Sequence, residues 1–112
     1  MILITDGGST KCDWIAIDKN GNQAVDKIRT KGLNPAIVAE KKLKKTIKGS
    51  DELMAIANDV THVYFYGAGC GTEKPRLLLK EILEIYFPKA LVEVKEDTYA
   101  AVRACINSND EA

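Results

Sequence analysis

The chain opens on a continuous apolar run, Ile2-Leu3-Ile4, the pattern of a central strand covered on both faces. A glycine-rich turn follows at Gly7-Gly8, and Cys12-Asp13-Trp14-Ile15-Ala16-Ile17 predicts a second strand. Asn20-Gly21 is a strong hairpin signal, because both residues tolerate positive φ. The stretch from Gln23 to Thr30 predicts a third strand, more polar and so nearer an edge. Three strands in succession, with no helix between them, make this first sheet unit antiparallel.

The rhythm then changes. Gly32-Leu33-Asn34-Pro35 breaks the strand pattern and opens a helix in which Ala36, Ala39, Leu43 and Ile47 recur at helical spacing. Gly49 stops it, and Ser50-Asp51-Glu52 caps a shorter helix reaching about Asn58. Val63–Tyr66 predicts a strand, Gly67–Gly71 a loop, and Thr72 the cap of a helix carrying Leu78, Ile82, Leu83 and Tyr86 that Phe87-Pro88 ends. Ala90–Lys95 predicts one more strand, and Asp97 begins a last helix with Ala100, Ala101, Ala104 and Cys105. Strand–helix alternation at these spacings implies parallel, right-handed crossovers. The sum is an α/β chain of order βββαβαβα, with a mixed five-stranded sheet flanked by helices. No repeat, low-complexity tract or internal linker divides it.

Composition narrows the function classes. The 112 residues suffice for one domain with a core, burying about two-thirds of the unfolded surface. Sixteen basic side chains cancel sixteen acidic ones, so no bulk field draws the chain to nucleic acid or anionic lipid. No apolar run approaches the ~20 residues that span a bilayer. Met1–Asp6 lacks a basic segment and a signal-length apolar run, so a cytoplasmic location is expected. Cys12, Cys70 and Cys105 are odd in number and far apart, the pattern of reduced thiols rather than a disulfide or metal set. His62, the sole histidine, precedes an apolar run and reads as a strand-entry residue, which leaves no catalytic triad or histidine-rich metal site. Lys41, Lys42, Lys44, Lys45 and Lys48 read as a solvated helix face with its cations toward the carboxyl end, where the dipole favours them. Phosphate or nucleic-acid contact is the other reading of that run.

The candidate chemistry starts at Asp6-Gly7-Gly8-Ser9-Thr10-Lys11, between the first two strands. Missing side chains at Gly7 and Gly8 let backbone N–H groups approach a polyphosphate, and Ser9 or Thr10 can add hydroxyl donors. Asp6, at the end of a buried strand, supplies a carboxylate for Mg2+, through water because magnesium gives up its hydration reluctantly. Lys11 adds positive charge near a transferring phosphoryl group. The alternative is a tight hairpin in which Asp6 only caps the bend; a turn of four to six residues, longer than a tight hairpin needs, favours the phosphate reading. Gly69 and Gly71 allow a close approach to substrate, or simply give a strand-to-helix turn its positive φ. By position alone Asp97 is a helix N-cap and Asn34 initiates a turn before Pro35. The Gly67–Gly71 loop lacks the Lys-Ser/Thr pair of a P-loop, and Thr72 replaces the third glycine of a dinucleotide fingerprint.

The element order resembles the ribonuclease-H-like domain shared by hexokinases, actin and the 70-kDa heat-shock chaperones. More specifically, Ile4-Thr5-Asp6-Gly7-Gly8-Ser9-Thr10-Lys11-Cys12-Asp13 resembles the first phosphate motif of the N-acetylglucosamine kinase and BadF/BadG/BcrA/BcrD ATPase family. The likeness continues through Gly32-Leu33-Asn34-Pro35, Gly67–Gly71 and Glu96-Asp97-Thr98-Tyr99-Ala100-Ala101, in order and at compatible spacing. It implies the amino-terminal lobe, residues 1–112, of a two-lobed actin-like ATPase that phosphorylates a small sugar, such as an N-acetylhexosamine, with ATP and Mg2+. In that resemblance Asp97 matches the catalytic base, Asn34 a sugar contact, and Asp6 with Gly7–Lys11 the Mg-phosphate site.

The second phosphate motif and the adenosine motif of such relatives do not follow, so the isolated chain is expected to bind ATP weakly and turn over little. A second lobe is needed, and a homodimer stays open. Nucleic acid and membrane are not expected partners: the Asp6 turn suits nucleotide phosphates better than a nuclease role for Asp6 and Asp97. Two alternatives remain: an ATPase that activates a partner enzyme, as the dehydratase activators of the same family do, and a non-catalytic nucleotide-binding domain. The cluster-binding cysteines of those activators are not recognisable here.

Overall fold

The structure is a computed structural model that describes residues 1–8, 10–67 and 69–96. Strands β1 (Ile2–Gly7), β2 (Lys11–Ile17) and β3 (Ile28–Lys31) come first, followed by helices α1 (Glu40–Lys48) and α2 (Asp51–Ile56), which a 3-10 turn at Ala57–Asp59 extends. Then come β4 (His62–Gly67), α3 (Glu73–Tyr86) and β5 (Leu91–Glu96). The five strands lie in the order β3-β2-β1-β4-β5. β2 runs antiparallel to both β1 and β3, whereas β4 is parallel to β1 and to β5. This is the mixed α/β sheet that the residue patterns predict.

Strand alternation sorts the sheet into two faces. Leu3, Trp14, Ala16, Val63, Phe65, Val92 and Val94 join the helical Leu43, Ile47, Leu53, Leu79, Ile82 and Leu83 in one core. Trp14 sits at its centre, edge-on to Phe65 at 5.8 Å and tilted against Phe87 at 6.4 Å. Its indole N–H donates to Thr30 Oγ1 at 3.0 Å, so the ring is buried without an orphaned donor. On the other face Ile4 and Ile17 form a smaller apolar cluster with Ile2, Ile15, Tyr64 and Tyr66.

Several boundaries differ from the sequence-based expectation. The α1 helix begins at Glu40, not at Pro35. The Asn34 carbonyl accepts from Ile37 and Val38, while its Oδ1 accepts from Ala36 N–H at 3.0 Å. This local turn competes with helix, and Ala39 resets to extended geometry before the helix starts. β3 is only Ile28–Lys31, and before it a single bridge joins Gln23 to Ile17. The Asn20-Gly21 bend uses positive φ at Gly21 alone, because Asp18 Oδ1 accepts from both Asn20 and Asn22 N–H and holds a wider loop. Thr72 precedes α3 but makes no side-chain cap, whereas Ser50 accepts from Leu53 N–H as expected. The helix expected from Asp97 onward lies outside the described residues. Among the described residues no helix is long and apolar enough to cross a membrane.

Candidate functional site

Strand register brings the predicted residues to one end of the sheet. Gly7, Gly67 and Glu96 are register partners at the carboxyl ends of β1, β4 and β5, and Gly7 also pairs with Cys12 near the start of β2. Ligands in open α/β sheets sit at this end of the strands. Lys11 pairs with Lys31, so β3 leaves the sheet at the same end. Gly32 N–H then donates to the Thr10 carbonyl at 3.0 Å, tying the chain that leads to Asn34 against the hairpin.

The hairpin itself is tight. After the Gly7–Cys12 pair, Gly8 N–H donates to the Lys11 carbonyl at 2.8 Å, with only positions 9 and 10 between them. The expected turn of four to six residues is therefore corrected, and the Gly8 amide is committed to closing the hairpin. Gly7 is required for another reason. A Cβ there would strike the Phe65 ring, and so would one on Gly67; the aromatic ring lies over both strand-end glycines. What the bend presents outward is the exposed Thr10 and Lys11, beside a half-buried Asp6. Ser9 lies outside the described residues.

Asp6 stands on the sheet face away from the helices, directly across from Asp13 on β2 and beside Tyr66 on β4. Asp13 accepts from Arg29 Nε at 2.8 Å, and that bond, against a smaller opposing effect of burial, holds its carboxyl below the ordinary value. Asp6, Lys11, Asp13, Arg29 and Lys31 thus form a mixed-charge patch on one face. Just behind it, burial pushes the Cys12 thiol up to about 12. Cys12 and Cys70 are both buried, and Cys105 lies outside the described residues.

Asn34 and Gly69 meet. Asn34 is 8% exposed, and Gly69, at φ +78°, has no room for a Cβ because the Asn34 Oδ1 occupies that space. The two candidate substrate residues therefore lie in contact, with Asn34 also serving the turn function that its position before Pro35 suggests. Asp97, the candidate base, lies outside the described residues; Glu96, just before it, has its carboxylate beside Gly71. Sequence reasoning missed Phe65 and Glu96 as neighbours of the site. A large aromatic two positions before a strand-end glycine was the available signal for the first.

These donors fit a nucleotide polyphosphate in one respect and not in another. The Thr10 hydroxyl and Lys11 ammonium suit an anion at the hairpin tip; the Gly8 amide does not. Asp6 offers a hard carboxylate oxygen for a divalent ion. Among the described residues no cluster of three potential ligands exists, and Asp6 would hold a hydrated Mg2+ by its carboxylate alone.

No protein-family model matches the chain, and no curated protein matches it significantly. Among solved structures, the chain is similar to the crystal structure of a Porphyromonas gingivalis protein that carries the provisional name N-acetylglucosamine kinase. The TM-score is 0.77 and the identity 38%, over 93% of this chain and 37% of that one. The chain thus spans little more than a third of that protein's length. The match bears out the resemblance read from the motifs: over almost its whole length, this actin-like α/β chain is similar to part of a protein named for the N-acetylglucosamine kinase family.

Proposed function

We propose that this chain is the amino-terminal lobe of an ATP-dependent sugar kinase whose acceptor is an N-acetylhexosamine. The observation that carries the reading is convergence. The Asp6–Lys11 hairpin, the Asn34 turn and the Gly69 loop come from three separate stretches of sequence and share one end of the sheet. Similarity to the P. gingivalis protein supports the same class of chemistry.

Phosphoryl transfer is mainly positioning and charge neutralisation. In this reading Thr10 and Lys11 touch the nucleotide phosphates and Asp6 anchors the hydrated Mg2+, which neutralises charge on the phosphates when bound. Asn34, rigidly held against Gly69, borders the acceptor. Asp97, directly after the β5 carboxyl end, takes the acceptor hydroxyl's proton. The second lobe supplies the remaining nucleotide contacts.

The test is Asp97→Asn in the two-lobed protein, assayed for N-acetylglucosamine-dependent ADP release. The rate is expected to fall about 100- to 10,000-fold with KM for ATP little changed. A rate within a few-fold of the parent would remove Asp97 as the base, and absence of any sugar-stimulated turnover in the parent would remove the kinase reading.

A further inference from the structure

Between the outer edge of β3 and helix α1 runs a groove of about 910 Å³, whose lining includes Arg29, Lys31, Lys41, Lys42 and Lys45. The kinase reading gives the lysines of α1 no task. Lys41, Lys42 and Lys45 are exposed, whereas Lys44 on the same helix is held by Glu40 at 3.4 Å.

The β3 edge is open in a definite way. Opposed residues in an antiparallel ladder alternate between hydrogen-bonded and non-bonded pairs. Gly32 N–H bonds the Thr10 carbonyl, so the bonded pairs further along are Cys12–Thr30 and Trp14–Ile28. The Gly8-to-Lys11 bond agrees, since it turns the Lys11 main chain toward β1. Lys11–Lys31 and Asp13–Arg29 are then the non-bonded pairs. The main-chain N–H and C=O groups of Arg29 and Lys31 therefore point out of the sheet, and among the described residues β3 has no neighbour on that side. Both residues line the groove. The Lys31 carbonyl also accepts the Thr30 hydroxyl at 3.0 Å, which leaves a second lone pair.

A hydrogen-bonding ledge thus faces a wall of lysines. We propose that this groove docks an acidic, extended segment of a partner protein, which adds as a strand to β3 with its carboxylates against Lys41, Lys42 and Lys45. Strand addition draws affinity from main-chain bonds and selectivity from alternate side chains. A segment with acidic residues at every second position turns all of them to one wall. Lysine on an edge strand discourages pairing between two copies of a chain; here it repels a second β3 and admits an anionic strand. A nucleic acid fits less well. Among the described lining residues none is aromatic, so bases find nothing to stack on.

The test uses the whole 112-residue chain and a short fluorescent peptide alternating glutamate with valine, blocked at both ends, read by anisotropy. Saturable binding is expected, lost when lysine replaces glutamate in the peptide. It should weaken about tenfold in the Lys41→Glu, Lys45→Glu double variant, whose exposed positions leave folding intact by circular dichroism. N-methylating the peptide amides along one edge, which deletes main-chain bonds and keeps the charge, should weaken it about as much. Absence of binding, indifference to peptide charge, equal binding of the N-methylated peptide, or tighter binding of single-stranded oligothymidylate would each overturn the proposal. None of these readouts depends on Asp97 or on turnover.

Discussion

Thr5 is fully buried between its register partners Trp14 and Phe65, and its Oγ1 has no hydrogen-bond partner among the described residues. A buried hydroxyl without a partner carries an uncompensated desolvation cost of about 1–3 kcal/mol. Thr5→Val keeps the shape and removes the orphan, so urea unfolding should show a gain of about 1 kcal/mol; a lowered midpoint would contradict this. Asp13 behaves differently, because its proton is coupled to folding. Its folded pKa lies below the ordinary 3.8, first through the hydrogen bond from Arg29. The pair's contribution is therefore present above pH 3.8 and is lost as pH falls through the folded value. Asp13→Asn should flatten the acid limb of the stability profile, measured by unfolding across that window, and an unaltered limb would show that Arg29 does not protect the carboxylate. High salt should shrink the same limb in the parent, since Arg29 is exposed.

At the scale of elements, the loops matter more than the strands. Gly69 has positive φ and a missing side chain whose place is taken by Asn34 Oδ1, so two independent penalties fall on Gly69→Ala. The loss should be about 2 kcal/mol or more in chemical unfolding. Asn34→Ala removes the obstruction, so the double variant should lose less than the sum of the single ones; strict additivity would mean that the contact carries no energy. The strands were legible because burial leaves its period in the residues: Ile2-Leu3-Ile4 and Val63–Tyr66 each read correctly as a strand. The start of α1 was not, because Ala36 and Ala39 share the helical spacing of Leu43 while the Asn34 side chain enforces a turn that periodicity does not register. The length of the hairpin turn was misread, and the glycine at its base has a non-local role. Gly7 suggests a phosphate loop when seen beside Gly8, but it is also the floor under Phe65, a residue 58 positions away.

Over the whole molecule, protection should follow the sheet order. Among the described residues β1 is bonded on both sides, to β2 and β4, whereas β3 has one neighbour. Amide exchange should be slowest within β1 and β4, and fast at Arg29 and Lys31, whose N–H groups face outward. Protection at those two amides equal to that of Leu3 would reject the assigned hydrogen-bond phase of the β3 ladder. The two faces also differ in kind. One is closed by α1, α2 and α3 around Trp14, and the other carries the Ile4–Ile17 cluster together with the charged groups of the candidate site. Asp6 therefore occupies the side where, among the described residues, apolar and ionic groups meet.

The bond from Gly32 N–H to the Thr10 carbonyl makes the hairpin tip and the Asn34 turn a single mechanical unit. Swinging the tip outward must either stretch that bond or drag Gly32 along, and Asn34 is two residues further on, wedged against Gly69. Whatever grips the tip therefore also braces the contact between Asn34 and Gly69.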